Sequence, residues 1–175
     1  MGNPYQPELW RDVYVVLGSS SAVLLGLLFI ATSLHLDEII NQPFFHRRAF
    51  NNIRYLLITF VEAVFVLLPQ PILILGVGLV AINLFALWLP LRITYLYFKS
   101  DKEPGHRGWT IFRAIIIIVS FLLGIAGGEQ VLIGYLNWGI YLVAISCVTL
   151  IVMVVWNTWS IMLGISQSEK MTKTN

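Results

Sequence analysis

Residues 53–91 read IRYLLITFVEAVFVLLPQPILILGVGLVAINLFALWLPL, two long apolar runs separated by Pro69-Gln70-Pro71. A helix that crosses the hydrocarbon core of a bilayer needs about 20 mostly apolar residues. The segments 53–68 and 72–91 approach that length on either side of the prolines. Proline has no amide proton and keeps the residue before it out of the helical region, so the Pro-Gln-Pro step forces a turn. The stretch therefore predicts a tight hairpin of two membrane-spanning helices.

Working outward, a third apolar run at 13–36 is bounded by Arg11-Asp12 and Asp37-Glu38. A fourth at 111–126 is short, ends at Gly127-Gly128-Glu129, and invites Arg113 to snorkel toward the headgroups. The segment 131–136 reads as interfacial, with Asn137 as the N-cap of a last span at 138–165. Trp138 at one end of that span and Trp156 and Trp159 at the other fit an aromatic belt. Composition agrees: 58% of the 175 residues are hydrophobic, only 11% are charged, and mean hydropathy is +0.80. A water-exposed surface needs about 25% charged residues, so lipid must take the place of water. The expectation is an all-α, polytopic helix bundle of five transmembrane helices in a single domain, residues 1–175.

Charge orients the bundle. With five spans, loops one and three and the C-terminal tail share a side. They and the adjoining helix ends hold Arg47, Arg48, Arg54, Arg92, Lys99, Lys102, Arg107, Arg113, Lys170 and Lys173, ten of the eleven basic residues, against Arg11 alone on the other side. The positive-inside rule then puts the N-terminus outside and the C-terminus in the cytoplasm. The first twelve residues lack a positive n-region and do not read as a cleavable signal peptide. In loop one, Phe44-Phe45 beside Arg47-Arg48 suits contact with lipid headgroups, or simple positive-inside anchoring. The basic residues do not cluster with exposed aromatics, which argues against a nucleic-acid partner. A single cysteine, Cys147, excludes an intrachain disulfide.

Within this frame Glu62 stands out. It lies ~9 Å from the outer end of its helix at 1.5 Å per residue. An ionisable group at such depth usually faces the bundle interior and has a partner. The same depth counting brings Ser19, Ser20 and Ser21 of the first span to a similar level, with Ser120 of the fourth and Ser146 of the fifth. Asn83 lies deeper, ~16 Å from Ile72 by the same rise. A polar layer around Glu62 in the outer half of the membrane is the resulting expectation. It serves either as an ion, proton or solute site, or as a protonated acid bonded to serines that helps the helices associate. Close helix packing is expected along Gly18, Ala22 and Gly26, and along Gly124 and Gly128, because small residues four apart let backbones approach.

No compact metal motif appears; His35, Asp37 and Glu38 with His46 and His106 form a loose cytoplasmic set without ligand spacing. No cofactor and no catalytic constellation is predicted. The run Gly26-Leu-Leu-Phe-Ile-Ala-Thr-Ser-Leu-His-Leu36, then Pro43 and Arg47-Arg48, resembles a family of small multi-helix bacterial inner-membrane proteins of unknown function. Leu67-Leu68-Pro69-Gln70 lacks a glycine common at that family's second helix end, whereas Val155-Trp156-Asn157 and Trp159 are similar to its last helix. The resemblance implies a multi-pass protein of the inner (plasma) membrane with the same helix count. The expected role is non-enzymatic, through interaction with membrane partners, with other membrane proteins or a second copy as candidates. The alternative is a small oligomeric channel or transporter with Glu62 in its path. Asn157 is expected first as an interhelical hydrogen-bond donor.

Overall fold

The computed structural model describes residues 7–34, 43–99 and 107–172, and among them five α-helices and no strand. They are α1 (Pro7–Leu34), α2 (Pro43–Leu67), α3 (Ile72–Lys99), α4 (Arg107–Ile133) and α5 (Leu136–Thr172). Each contains a stretch long and apolar enough to cross a membrane: Trp10–Leu34, Ala49–Leu67, Ile72–Arg92, Ile111–Ile133 and Leu136–Ser160. The chain is a multi-pass membrane protein, all-helical among the described residues. Pro7 and Pro43 open α1 and α2, where a missing amide proton costs nothing. The predicted hairpin turn separates α2 from α3, and Gln70 Nε2 donates to the Phe65 carbonyl at 2.6 Å, closing the end of α2.

The fourth span is not short. α4 runs through Gly127-Gly128 to Ile133 and stops at Gly134, whose φ of +101° is left-handed. The Gly134 amide donates to Val131 O (3.2 Å) and the Tyr135 amide to Gln130 O (2.9 Å), the paired bonds of a Schellman cap. The segment 131–136 is thus the end of one helix and the start of the next. Asn137 is not the N-cap either; the Tyr135 carbonyl receives the first amide of α5, from Gly139.

Gly127-Gly128 looked like a helix end because glycine weakens helices in water. Here each glycine admits a different neighbour. A Cβ on Gly127 would lie 2.7 Å from the Gly139 carbonyl of α5, and one on Gly128 would lie 3.1 Å from the Gly76 carbonyl of α3. α4 is accordingly held between α3 and α5 with backbones nearly touching on both sides. α1 packs on α2, and α5 reaches α4, α2 and α1, which makes it the most buried span. α2 and α3 share little surface although the turn joins them.

Two apolar clusters fill the interior. One gathers Tyr14, Ala63, Val66, Leu75, Leu79, Val131 and Ile140 toward the hairpin end. The other gathers Leu28, Tyr55, Leu56, Ala86, Phe121, Leu150 and Val154 toward the opposite end.

Candidate functional site

Between the two clusters lies a polar layer. Glu62 of α2 is fully buried, and its two carboxyl oxygens have different partners. Asn83 Nδ2 of α3 donates to Oε1 at 2.5 Å, and Cys147 Sγ of α5 donates to Oε2 at 3.2 Å. Asn83 Nδ2 also donates to its own helix at Leu79 O, 2.9 Å. The carboxyl therefore ties α2 to α3 across a seam where they otherwise scarcely meet, and ties both to the central helix.

Asn83 is the direct partner of Glu62, not an inward extension of the layer. Counting depth from helix ends misplaced it because the arms of the hairpin are unequal. Glu62 stands eight residues before Gln70, whereas Asn83 stands thirteen after it. The layer accordingly sits near the middle of the α3 and α5 spans rather than in the outer half.

The serines play another part. Ser146 Oγ donates to the Ser120 carbonyl at 2.7 Å, linking α5 to α4 at the same level, and Ser120 Oγ turns back to Ile116 O. Ser21 is buried and bonds Leu17 O, and Ser20 is half-buried. Ser19 does not join the layer: it is exposed, and its hydroxyl bonds Val15 O of its own helix. A hydroxyl on a membrane helix has a carbonyl four residues back within reach; Ser19, Ser21 and Ser120 take it, whereas Ser146 reaches the neighbouring helix instead.

Gly124 and Gly128 both pack α4 against α3. A Cβ on Gly124 would collide with the Asn83 amide, so this glycine makes the space in which the partner of Glu62 sits. The Gly18, Ala22 and Gly26 stripe divides instead. Gly18 meets Ala63, with 3.3 Å from its would-be Cβ to the alanine Cβ, while Ala22 is exposed and none of the described residues lies within 4 Å of a Cβ on Gly26. Each step of four residues turns about 40° past a full turn at 3.6 residues per turn. Over eight residues the stripe rotates from the interior to the outside.

A second polar cluster joins α2 and α5 nearer the opposite end. Asn157 Nδ2 donates to Asn52 Oδ1 at 3.0 Å and Asn52 Nδ2 to Thr158 Oγ1 at 3.3 Å, so Asn157 is the interhelical donor expected from the sequence. Arg54 Nη2 donates to the Ala86 carbonyl of α3 at 2.8 Å. That carbonyl lies four residues before Pro90, which sits inside α3 and has no amide to offer it. A neighbouring helix thus meets the backbone acceptor that proline strands, as a bilayer interior requires. Arg113 does not snorkel outward; it is only 8% exposed and points into the bundle. Neither the role of Cys147 nor that of Arg54 was anticipated. Pro90 was the available signal, since it announces an unmet carbonyl at Ala86.

Among the described residues no group of three or more His, Cys, Asp or Glu could hold a metal ion. His35, Asp37, Glu38 and His106 lie outside the described residues, as do the side chains of His46, Arg47 and Arg48. Chemically the layer offers a carboxyl with two hydrogen-bond donors on it, and one buried acceptor, Asn83 Oδ1, with no hydrogen-bond partner among the described residues. No family model, curated protein or solved structure matches this chain.

Proposed function

We propose that this chain is a non-enzymatic protein of a bacterial inner (plasma) membrane, N-terminus out and C-terminus in, that works by associating with other membrane components. The ten-to-one partition of basic residues supports the orientation. The observation that carries the association reading is the outward part of α1, where Ala22 and Gly26 are exposed and none of the described residues fills the space beside Gly26. Small residues gain little from lipid and let another helix approach closely. Cys147 is fully buried, so a cysteine introduced by Gly26→Cys is the reactive thiol. Oxidative cross-linking in membranes should then yield a species of defined higher mass, while Leu73→Cys, at an exposed position of α3, which does not pack appreciably on α1, should not. Equal cross-linking at both positions, or none at Gly26, overturns the reading.

A second reading has one specific observation behind it. The buried acceptor Asn83 Oδ1 beside the Glu62 carboxyl gives a proton or cation a place to be held. Liposome flux that depends on pH and is lost in Glu62→Gln would support transport; flux unchanged by that substitution would remove it.

A further inference from the structure

The packing divides the bundle into two units. α1 and α2 pack on each other, and α3 and α5 both pack on α4, each more extensively than any helix of one unit packs on a helix of the other. Inside each unit the approach is close: Gly18 meets Ala63, Gly128 meets the Gly76 carbonyl, and Gly127 meets the Gly139 carbonyl. The units are also consecutive in the chain, residues 7–67 and 72–172. The backbone therefore passes between them once, at Pro69-Gln70-Pro71.

Side-chain hydrogen bonds bridge the boundary between the units. Glu62 holds Asn83 and Cys147, Arg54 reaches the Ala86 carbonyl, Asn52 bonds Asn157 and Thr158, and Tyr14 Oη donates to Ile140 O at 2.7 Å. Asn52, Arg54 and Glu62 occupy the half of the boundary from the middle of α2 to the end away from the hairpin, and fully buried Thr59 stands among them. The half toward the hairpin is packed by Leu17, Ala63, Val66, Leu79, Ile140 and Val143. Asn83 and Asn157, which bond across the boundary through Nδ2, each keep a buried Oδ1 with no hydrogen-bond partner among the described residues. A buried acceptor normally has protein or water on it, so this half is short of donors at both of its ends. Water can replace a side-chain hydrogen bond, but not the fit of two touching backbones. The bundle accordingly separates with least loss along the polar half of the boundary, with the proline step as the hinge.

We propose that the α1–α2 unit rocks on the α3–α4–α5 unit about Pro69-Gln70-Pro71, parting their boundary at the end away from the hairpin and admitting water as far as Glu62. Glu62 is then reached from one side of the membrane, the side of the C-terminal tail. This needs neither reading above, because water access is measured without flux or a partner. Cys147 is the only cysteine, is fully buried, and sits on Glu62, so it reports the opening; it lies too deep to meet a thiol of another chain, but a small reagent in water reaches it once the boundary parts. The full-length protein in sealed right-side-out and inverted vesicles is treated with the membrane-impermeant reagent 2-(trimethylammonium)ethyl methanethiosulfonate, and the added mass is followed by mass spectrometry. Cys147 should label about tenfold faster from the side of the C-terminal tail than from the other, as a local opening on one side requires. In a Cys147→Ala background, Thr59→Cys should label from that same side, whereas Val143→Cys, equally buried but one turn nearer the hairpin, should label about tenfold more slowly than Cys147. Equal rates from the two sides overturn the proposal. So does labelling of Val143→Cys as fast as Cys147, which would mean a general loosening of the bundle. Protection of both Cys147 and Thr59→Cys, under conditions that label them in sodium dodecyl sulfate, also overturns it. The comparison of sides on the native cysteine decides the matter if a variant fails to fold.

Discussion

If Arg54 replaces the hydrogen bond that Pro90 cannot make, the two residues should be energetically coupled. Arg54→Met removes the Nη2 donor from the Ala86 carbonyl and leaves that acceptor without either partner. Hydrogen bonds between helices in bilayers average about 0.6 kcal/mol and reach about 1.7 kcal/mol. A charged donor on an otherwise unmet carbonyl belongs near the upper end, so the substitution should cost ~1.5 kcal/mol. In a Pro90→Ala background the new amide at position 90 returns to Ala86 O, and Arg54→Met should cost only ~0.5 kcal/mol. The coupling of ~1 kcal/mol is about a fivefold change in the unfolding equilibrium. Other effects of removing the charge, or the proline, occur in both backgrounds and cancel in the cycle. Reversible unfolding in lipid–detergent micelles titrated with sodium dodecyl sulfate, followed by circular dichroism, measures all four variants. Equal losses from Arg54→Met in both backgrounds would refute the idea that arginine stands in for the missing amide.

The glycines should separate by location in the same assay. Gly128→Ala, whose Cβ would fall 2.7 Å from Val80 Cγ2 and 3.1 Å from Gly76 O, should cost ~1–3 kcal/mol through overpacking, while Gly26→Ala should stay within about 0.5 kcal/mol. Gly134→Ala has open space around it but a φ of +101°, so a loss of ~1–2 kcal/mol there would come from the backbone alone. At the polar layer, Glu62→Leu strips the acceptor from Asn83 and Cys147 and should cost ~1–3 kcal/mol. Glu62→Gln keeps an acceptor oxygen and should cost less; a larger loss for Gln than for Leu would contradict a hydrogen-bonding role.

The five spans and the hairpin at Pro69-Gln70-Pro71 were legible in the sequence because transfer into lipid depends on local composition and proline acts on its own backbone. The same locality misled at Gly127-Gly128, where glycine reads as a break unless one knows that helices press on both sides. The candidate site was half legible. A glutamic acid inside an apolar span announces a buried partner, and Glu62 has two. Which residues those are depends on the register between helices, and packing sets register: the unequal arms of the hairpin bring Asn83 to Glu62, and α5 brings Cys147. The serines could not be assigned from sequence either, since each also has a carbonyl of its own helix to bond. The sequence by itself thus determined how many times the chain enters the membrane and that an acid goes with it. Only the tertiary structure decided what the acid holds, and which face of α1 the rotation of the helix turns outward.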